Sequence, residues 1–435
     1  MLIVSFYFLV LILVVFMTFN AFFDLNTEHR LTLFLFLTGL ACFYSLIAGY
    51  TQVFYTSLIS FMTIILAYIW NKYVFSRLTI ERKLSKDKIF IGEKVYFEIL
   101  IQNKKLLPIP FINIKEYVTD GIEFINDKFF FSVPGKKANI YSDKFSLNWY
   151  EKVKRKYEIL PQHRGYYKFG EGNAFFNGVF GLFKNQTSLS DYTELVVLPR
   201  ILSADKMDIE IRQLFGSHPA EGWVHRDPLN KVGVRPYQTT DSIKEINWKA
   251  SARHKKLESD VYKPSYDKEV HIFLSNLTTR DWWEGIIRNR LELTIIYAAS
   301  LANYGIDNGY QVGLYSDGLI HNSSRHISLP PGKSSSHKSK ILTTLAMIKA
   351  SNQAKFSEIL AQEKKNINSG STVIIIGSYL SSETKKLINL YKKNYNLHII
   401  KIDSDKSEKN KLTKNTYFVD EEKRWDQIKQ LDIYS

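Results

Sequence analysis

Residues Gly233–Leu257 read GVRPYQTTDSIKEINWKASARHKKL. Charged, aromatic and small polar residues alternate there with neither the period of an amphipathic helix nor that of a half-buried strand. Packing against a core therefore does not account for them. The stretch stands where two textures meet. Before it the chain reads as β; after it, strands alternate with helices. Worked outward from this boundary, the chain divides into a transmembrane region over 1–75, a β-sandwich-like domain over 78–202, a connecting segment over 203–267 and an α/β domain over 268–435.

On the upstream side, Ile89–Asn103 gives two strands around a Gly92-Glu93 turn, with clean alternation in the second. Leu106-Leu107-Pro108-Ile109-Pro110 is a stiff extended break. Further short strands are expected near 112–118, 128–132, 138–149, 153–159 and 194–198. Regular short strands separated by turns imply an antiparallel sandwich. Leu160–Gly165 and Phe180-Gly181-Leu182-Phe183 read as turn-plus-aromatic segments that close it.

On the downstream side, Val270–Leu274 is a short apolar run suited to a buried strand. A helix follows over Trp282–Tyr304, then a strand at Val312–Tyr315, a helix over Lys338–Lys349, a strand at Val373–Ile376, a helix near 382–394 and a strand at Leu397–Ile402. This alternation implies a doubly wound, mostly parallel sheet, with any ligand beyond the carboxyl ends of its strands. Those ends are Ser275-Asn276, Ser316-Asp317 and Gly377-Ser378.

At the N-terminus, residues 1–23 and 31–71 carry no charged side chain. A bilayer span takes about 20 apolar residues, so the expectation is three spans, near 3–22, 31–49 and 53–71. A cleaved signal peptide fits poorly, because no basic residue precedes the first apolar run. Lys72, Arg77, Arg82, Lys83, Lys86 and Lys88 follow the last run, and the positive-inside rule places the body after Lys72 in the cytoplasm of a multi-pass membrane protein.

The formal net charge is +15, with basic residues scattered rather than gathered in a stripe. That suits a body near an anionic leaflet, and no recognition module for nucleic acid is present. The one cysteine, Cys42, falls in an expected span, which excludes an intramolecular disulfide and a Cys-His nucleophile in the soluble part. Pro331-Gly332-Lys333-Ser334 imitates the end of a phosphate loop, but Ile327 stands where that loop needs glycine. His218, Glu221 and His225 are interrupted by Pro219 and Gly222, which fits a solvated loop better than aligned metal ligands. No catalytic constellation and no cofactor site emerges.

Within the opening stretch, Arg235 and Asp241 are spaced to pair, Arg253 offers a second guanidinium for a carboxylate, and Trp248 is placed to pack under either cation. Two readings stay open: a clasp between the two soluble domains, or a surface that displays Arg235 or Arg253 to a partner.

Gly233, Val234, Arg235, Tyr237, Asp241, Lys244, Ile246, Trp248, Ser251, Ala252, Arg253 and Leu257 resemble the signature of the bacterial domain-of-unknown-function 58 family; Thr240 departs from its usual glycine. Arg164–Tyr167, Phe180–Phe183, Asn276–Thr279, Gly309–Leu314 and Leu329–Gly332 extend the resemblance. It implies N-terminal transmembrane helices, an immunoglobulin-like β-sandwich and a von Willebrand factor A-like C-terminal domain. Such domains bind a divalent cation after their first strand. Here the corresponding run has Asn276, Thr278 and Arg280, without the carboxylate, so no metal is expected. The resemblance also implies a non-enzymatic scaffold or adaptor that works with a MoxR-type AAA+ ATPase and a transglutaminase-like membrane protein. The alternatives are a metal-dependent binding module and an enzyme of unknown chemistry.

Overall fold

A computed structural model of the chain describes residues 27–119, 121–125, 130–132, 138–178, 184–189, 191–207, 211–215, 225–238, 241–265, 269–280, 284–320, 326–349, 355–368, 370–404 and 415–422. The expected span near 3–22, the Phe180–Phe183 segment, His218, Glu221 and Thr240 lie outside them. The chain forms two compact units. One takes Met1–Asp87, Glu93–Gln162 and Tyr167–Leu195; the other takes Lys88–Gly92, His163–Tyr166 and Val196–Ser435.

The first unit begins with two helices, α1 (Thr27–Ile47) and α2 (Thr51–Tyr73). Between them Gly49 takes φ 70°, the left-handed conformation that glycine tolerates. Among the described residues α2 is the helix long and apolar enough to cross a membrane, and most of its surface is unburied. The strands that follow along the chain are β1 (Leu78–Leu84), β2 (Lys88–Phe90), β3 (Val95–Asn103), β4 (Ile109–Thr119), β5 (Ile122–Phe124), β6 (Phe130–Ser132), β7 (Ala138–Leu147), β8 (Lys152–Pro161), β9 (Gly165–Phe169), β10 (Gly172–Phe176), β11 (Asn185–Leu189) and β12 (Thr193–Leu198), of which β2, the start of β9 and the end of β12 belong to the second unit.

Two antiparallel sheets, β1-β3-β8-β5 and β11-β10-β4-β7-β6, make the β domain of this unit. Alternation buries one face of each. Val95, Phe97, Ile99 and Ile101 point inward from β3, and Ile112, Ile114 and Val118 from β4. The inner faces meet. Tyr141 on β7 stacks on Phe124 of β5 at 5.7 Å and meets Tyr157 of β8 edge-on at 5.1 Å. Two buried carboxylates tie one sheet to the other. Asp143 on β7 accepts from Tyr157 Oη at 2.6 Å and pairs with Arg155, both on β8. Glu116 on β4 accepts from Arg82 Nε of β1 at 2.7 Å, and burial raises its carboxyl above the usual range.

The second unit contains α3 (Ile211–Leu214), β13 (His225–Pro236), α4 (Trp248–His254), β14 (Glu258–Ser265) and an α/β layer structure. The latter comprises β15 (Glu269–Leu274), α5 (Arg288–Asp307), β16 (Gln311–Ser316), β17 (Ile327–Gly332), α6 (Ser335–Met347), α7 (Phe356–Glu363), β18 (Thr372–Gly377), α8 (Ser382–Asn394), β19 (Asn396–Asp403) and β20 (Thr416–Asp420). Its sheet runs β17-β16-β15-β18-β19-β20, parallel throughout except for the antiparallel edge strand β17. Alternate residues feed the two faces, as the two-residue period of a doubly covered sheet requires. Ile272, Leu314, Ile374 and Ile400 pack with α5 and α6. Phe273, Tyr315, Val373 and Ile375 pack with α7 and α8.

The short pieces of this unit drawn from earlier in the chain are fixed to the same core. β2 pairs in parallel with β12 from Val196↔Lys88 to Leu198↔Phe90, and Phe90 and Tyr166 pack on the α5 side. Arg164, with its side chain 5% exposed, donates from Nη1 to the carbonyls of Leu345, Ala346 and Ile348 at 3.1–3.2 Å, closing the C-terminus of α6. Its Nε lies 2.9 Å from Glu292 of α5, an ion pair off the line of a hydrogen bond.

Several elements depart from the sequence expectation. α5 starts at Arg288 rather than Trp282, because Gly285 at φ 80° holds the preceding turn out of helix. β17 carries Pro330 and Pro331, which only an edge strand accepts. The Gly332-Lys333-Ser334 turn does join a strand to a helix, but Ser334 Oγ serves as an ordinary N-cap, accepting from His337 N–H at 3.1 Å.

Candidate functional site

Gly233–Leu257 folds as a hairpin with an excursion at its tip. β13 and β14 pair antiparallel, with Gly233↔Val261, Arg235↔Ser259 and Pro236↔Glu258 in register. Tyr237 N–H donates to the Leu257 carbonyl at 2.9 Å, and a 3₁₀ turn at Ile243–Glu245 leads into α4. Asn247 starts that helix. Its Oδ1 accepts from Ala250 N–H at 3.0 Å, and its Nδ2 donates to Asp260 on β14 at 2.7 Å. Lys255, at φ 53°, ends the helix in the left-handed conformation, and Ser251 Oγ accepts from Glu258 N–H at 2.9 Å.

The structure brings Arg235 and Asp241 together: Nη2 to Oδ1 is 2.5 Å. Asp241 Oδ2 also accepts Gln238 N–H at 3.0 Å, and the Tyr237 hydroxyl donates to the Asp241 carbonyl at 3.3 Å. The Arg235 guanidinium, helped by that backbone donor, holds the Asp241 carboxyl below its usual range. Ile246 bridges to Ser259 on β14. Arg253 is exposed on α4 and joins neither this pair nor the Asn247 bonds.

The expectation that Trp248 packs under a cation is corrected. Trp248 is 67% exposed, and among the described residues no cation lies over its ring. Ile243, Leu257 and Val234 are 71%, 51% and 40% exposed. The motif thus engages Arg235, Asp241, Asn247 and Ser251 internally, while large apolar side chains face outward among the exposed Lys244, Lys249, Arg253, Lys255 and Lys256.

The second place of interest is the carboxyl edge of the parallel sheet. Asn276, Thr278, Asp317 and Ser378 are all buried there. Asp317 Oδ1 accepts Asn276 N–H at 2.7 Å, and burial raises its carboxyl to about 7. Asn276 Nδ2 donates to the Lys349 carbonyl at 3.1 Å, while Asn276 Oδ1 and Ser378 Oγ are buried without a partner. Thr278 Oγ1 accepts Ile287 N–H at 2.8 Å. A von Willebrand factor A-like domain would hold a divalent ion here. A hard dication favours anionic oxygens, and the set offers one buried carboxyl, an amide where the carboxylate is needed and an engaged hydroxyl. The set is short of anionic oxygens for such an ion. Among the described residues no group of three or more His, Cys, Asp or Glu is placed to hold one.

Residues 233–422 match the family model described as protein of unknown function DUF58. Over that span, a little under half of its length, the chain is similar to that family. The DUF58 span opens at the first residue of the motif and carries through the hairpin and the α/β sheet. A curated relative, the uncharacterized protein YeaD of Bacillus subtilis strain 168, is 20% identical over 248 residues, covering 55% of this chain and 56% of that protein, so the chain spans little more than half the relative's length. Among solved structures the chain is similar to a CARDB domain from Pyrococcus furiosus, at 17% identity and TM-score 0.20 over 28% of this chain and 91% of that one. It is also similar to a cohesin module of a Clostridium perfringens family 33 glycoside hydrolase, at 14% identity and TM-score 0.20 over 28% and 95%.

Sequence reasoning missed Asn247 and Asp317. Asn directly before a helical turn is an N-cap signal; it went unread because a seven-residue helix shows too little period. Asp317 lies at an expected strand end, but its bond from the Asn276 N–H, with Asn276 in turn donating to the Lys349 carbonyl, joins segments that no sequence spacing brings together.

Proposed function

We propose that the chain is a non-enzymatic, multi-pass membrane adaptor. Its cytoplasmic DUF58 region docks a MoxR-type AAA+ ATPase during assembly or maturation of other proteins, in company with a transglutaminase-like membrane protein. The observation that carries this reading is the inversion in the Gly233–Leu257 motif. Arg235, Asp241, Asn247 and Ser251 are engaged within the hairpin, whereas Ile243, Trp248 and Leu257 are more than half exposed. Exposed aromatic and aliphatic anchors rimmed by polar residues are the form of a protein-docking surface. The apolar helix α2 supports the membrane anchor. An immunoglobulin-like β domain and a von Willebrand factor A-like α/β domain complete the reading.

The test is photocrosslinking from Trp248 and Ile243 positions of the full chain in its own membranes. Recovery of an AAA+ ATPase at those positions and not from β11 supports the adaptor. Crosslinks that never include an ATPase sink it. A reporter fused after Ser435 that scores external overturns the cytoplasmic placement.

A second reading is favoured by one observation: Asn276 Oδ1 and Ser378 Oγ are unpartnered at the sheet edge, where α/β folds take ligands. Titration calorimetry with Mg²⁺ or Mn²⁺ decides it, since saturable micromolar binding would favour a metal-dependent module.

A further inference from the structure

At the end of α2 the β domain of the same unit is fastened to the helix by hydrogen bonds. The Trp70 indole N–H donates to the Pro108 carbonyl at 3.0 Å. The Lys105 ammonium, 8% exposed, donates to the Ser76 carbonyl at 2.7 Å and to the carbonyl of Val74, the C-cap of α2, fastening the turn just past the helix. Lys104 N–H donates to the Arg77 carbonyl at 3.0 Å, and Asn185 Nδ2 to the Asn71 carbonyl at 2.8 Å. The 104–108 loop is in turn joined to the 148–151 turn. Tyr150 N–H donates to the Lys105 carbonyl at 3.2 Å, and Asn103 Nδ2 donates to both Leu107 and Asn148 carbonyls at 2.9 and 2.8 Å.

These two loops carry large apolar side chains in the open. Leu106 is 72% exposed, Trp149 66% and Tyr150 63%, beside Tyr73 at 50% on the last turn of α2. Lys72, Arg77, Lys104 and Lys152, all exposed, lie among them in sequence. Trp and Tyr concentrate at membrane–water interfaces, and Lys and Arg there attract anionic headgroups. Exposed apolar side chains on loops bonded to the end of an apolar helix, with cations next to them in sequence, have the chemistry of that layer.

We infer that Leu106, Trp149 and Tyr150 form an interfacial foot that seats the β domain on the lipid surface where α2 emerges. The inference rests on the reading that α2 crosses a membrane. It also gives a role to the Leu106–Pro110 break, which the sandwich itself does not require: its prolines hold the loop extended so that Leu106 projects while the Pro108 carbonyl grips Trp70.

The experiment uses the full chain with Cys42→Ser, reconstituted in phosphatidylethanolamine/phosphatidylglycerol bilayers, with single nitroxide labels introduced by Leu106→Cys, Trp149→Cys, Ile59→Cys and Glu93→Cys. Ile59 lies in α2. Glu93 precedes the far end of β3, roughly 30 Å along the strand from Asn103. Depth is read from the ratio of oxygen to nickel-chelate collision. Labels at 106 and 149 are expected to give a ratio several-fold above that at 93 and below that at 59. If 59 is deep while 106 and 149 match 93, the foot is overturned and the span stands. If 59 itself is aqueous, the span reading fails and the foot with it.

Discussion

Asp317→Asn is expected to stabilise the α/β unit at neutral pH and to change little in acid. Asp317 is 2% exposed, and burial lifts its carboxyl from 3.8 to about 7 because the ionised form loses its hydration. A folded-state value above the unfolded one means stability that is full below pH 3.8 and lost as the pH rises through 7. At about 1.36 kcal/mol for each tenfold in acidity, the loss across that window is on the order of 4 kcal/mol. Asparagine keeps an acceptor for the Asn276 N–H and never ionises.

His398 on β19 supplies the opposing slope. It is 3% exposed, and burial lowers its imidazole from 6.5 to about 4. That contribution is full above pH 6.5 and lost as the pH falls through 4, on the order of 3 kcal/mol. The parent should therefore show nearly level stability between pH 4.5 and 7, and Asp317→Asn should rise steadily with pH. His398→Leu should do the reverse. The assay is peptide-resolved hydrogen exchange on the full chain in detergent, reading the slowest amides of β15 and β18 against intrinsic rates at each pH. An Asp317→Asn variant with the parent's pH profile would refute the burial argument. A variant destabilised at pH 7.5 would show that the fold needs the ionised carboxylate, and with it a bound cation.

Arg164→Ala should loosen α6 by roughly 2–4 kcal/mol, since it frees three carbonyls and leaves Glu292 without its guanidinium; exchange over Ser335–Met347 reads this, with partial rescue by Arg164→Lys. Asn247→Ala removes both a helix cap and the bond to Asp260, and about 1–2 kcal/mol of protection should vanish from α4 while β15 keeps its own. Gly172→Ala should destabilise the β domain, because a Cβ there overlaps the Lys115 carbonyl on the neighbouring strand; an unchanged melting profile would contradict that fit. Trp248→Ser should stay within about 0.5 kcal/mol of the parent, as exposed substitutions do, yet lose crosslinking to a partner; retained crosslinking would remove the docking role from Trp248.

The parts of the fold readable from sequence are those with a period. β3 alternates cleanly, α8 matches its expected bounds of 382–394, and β15, β16, β18 and β19 are apolar runs that only a doubly covered sheet explains. What escaped had its period broken by other demands. β11 reads NQTSL with no apolar stripe, because one of its edges is open. β17 hides behind two prolines. Arg164 looked like part of a turn because its partners, the α6 carbonyls, are supplied by residues more than 180 positions away.

The Gly233–Leu257 motif was legible as a group and opaque in its roles, for a physical reason. Hydrogen bonds between side chains and loop backbone impose spacing but no period. Arg235 and Asp241 lie six residues apart and are easily paired by eye; Asn247 and Asp260 meet only because β13 and β14 close the hairpin. Besides these bonds, His254 Nδ1 lies 2.8 Å from Glu258 Oε1 at the end of α4, and Arg235 holds the Asp241 carboxyl below its usual range, which makes it a weak base. The motif's other cations, Lys244, Lys249, Arg253, Lys255 and Lys256, stand in water beside the exposed Ile243, Trp248 and Leu257. Exposed aliphatic and aromatic side chains edged by cations are the feature on which the docking proposal rests.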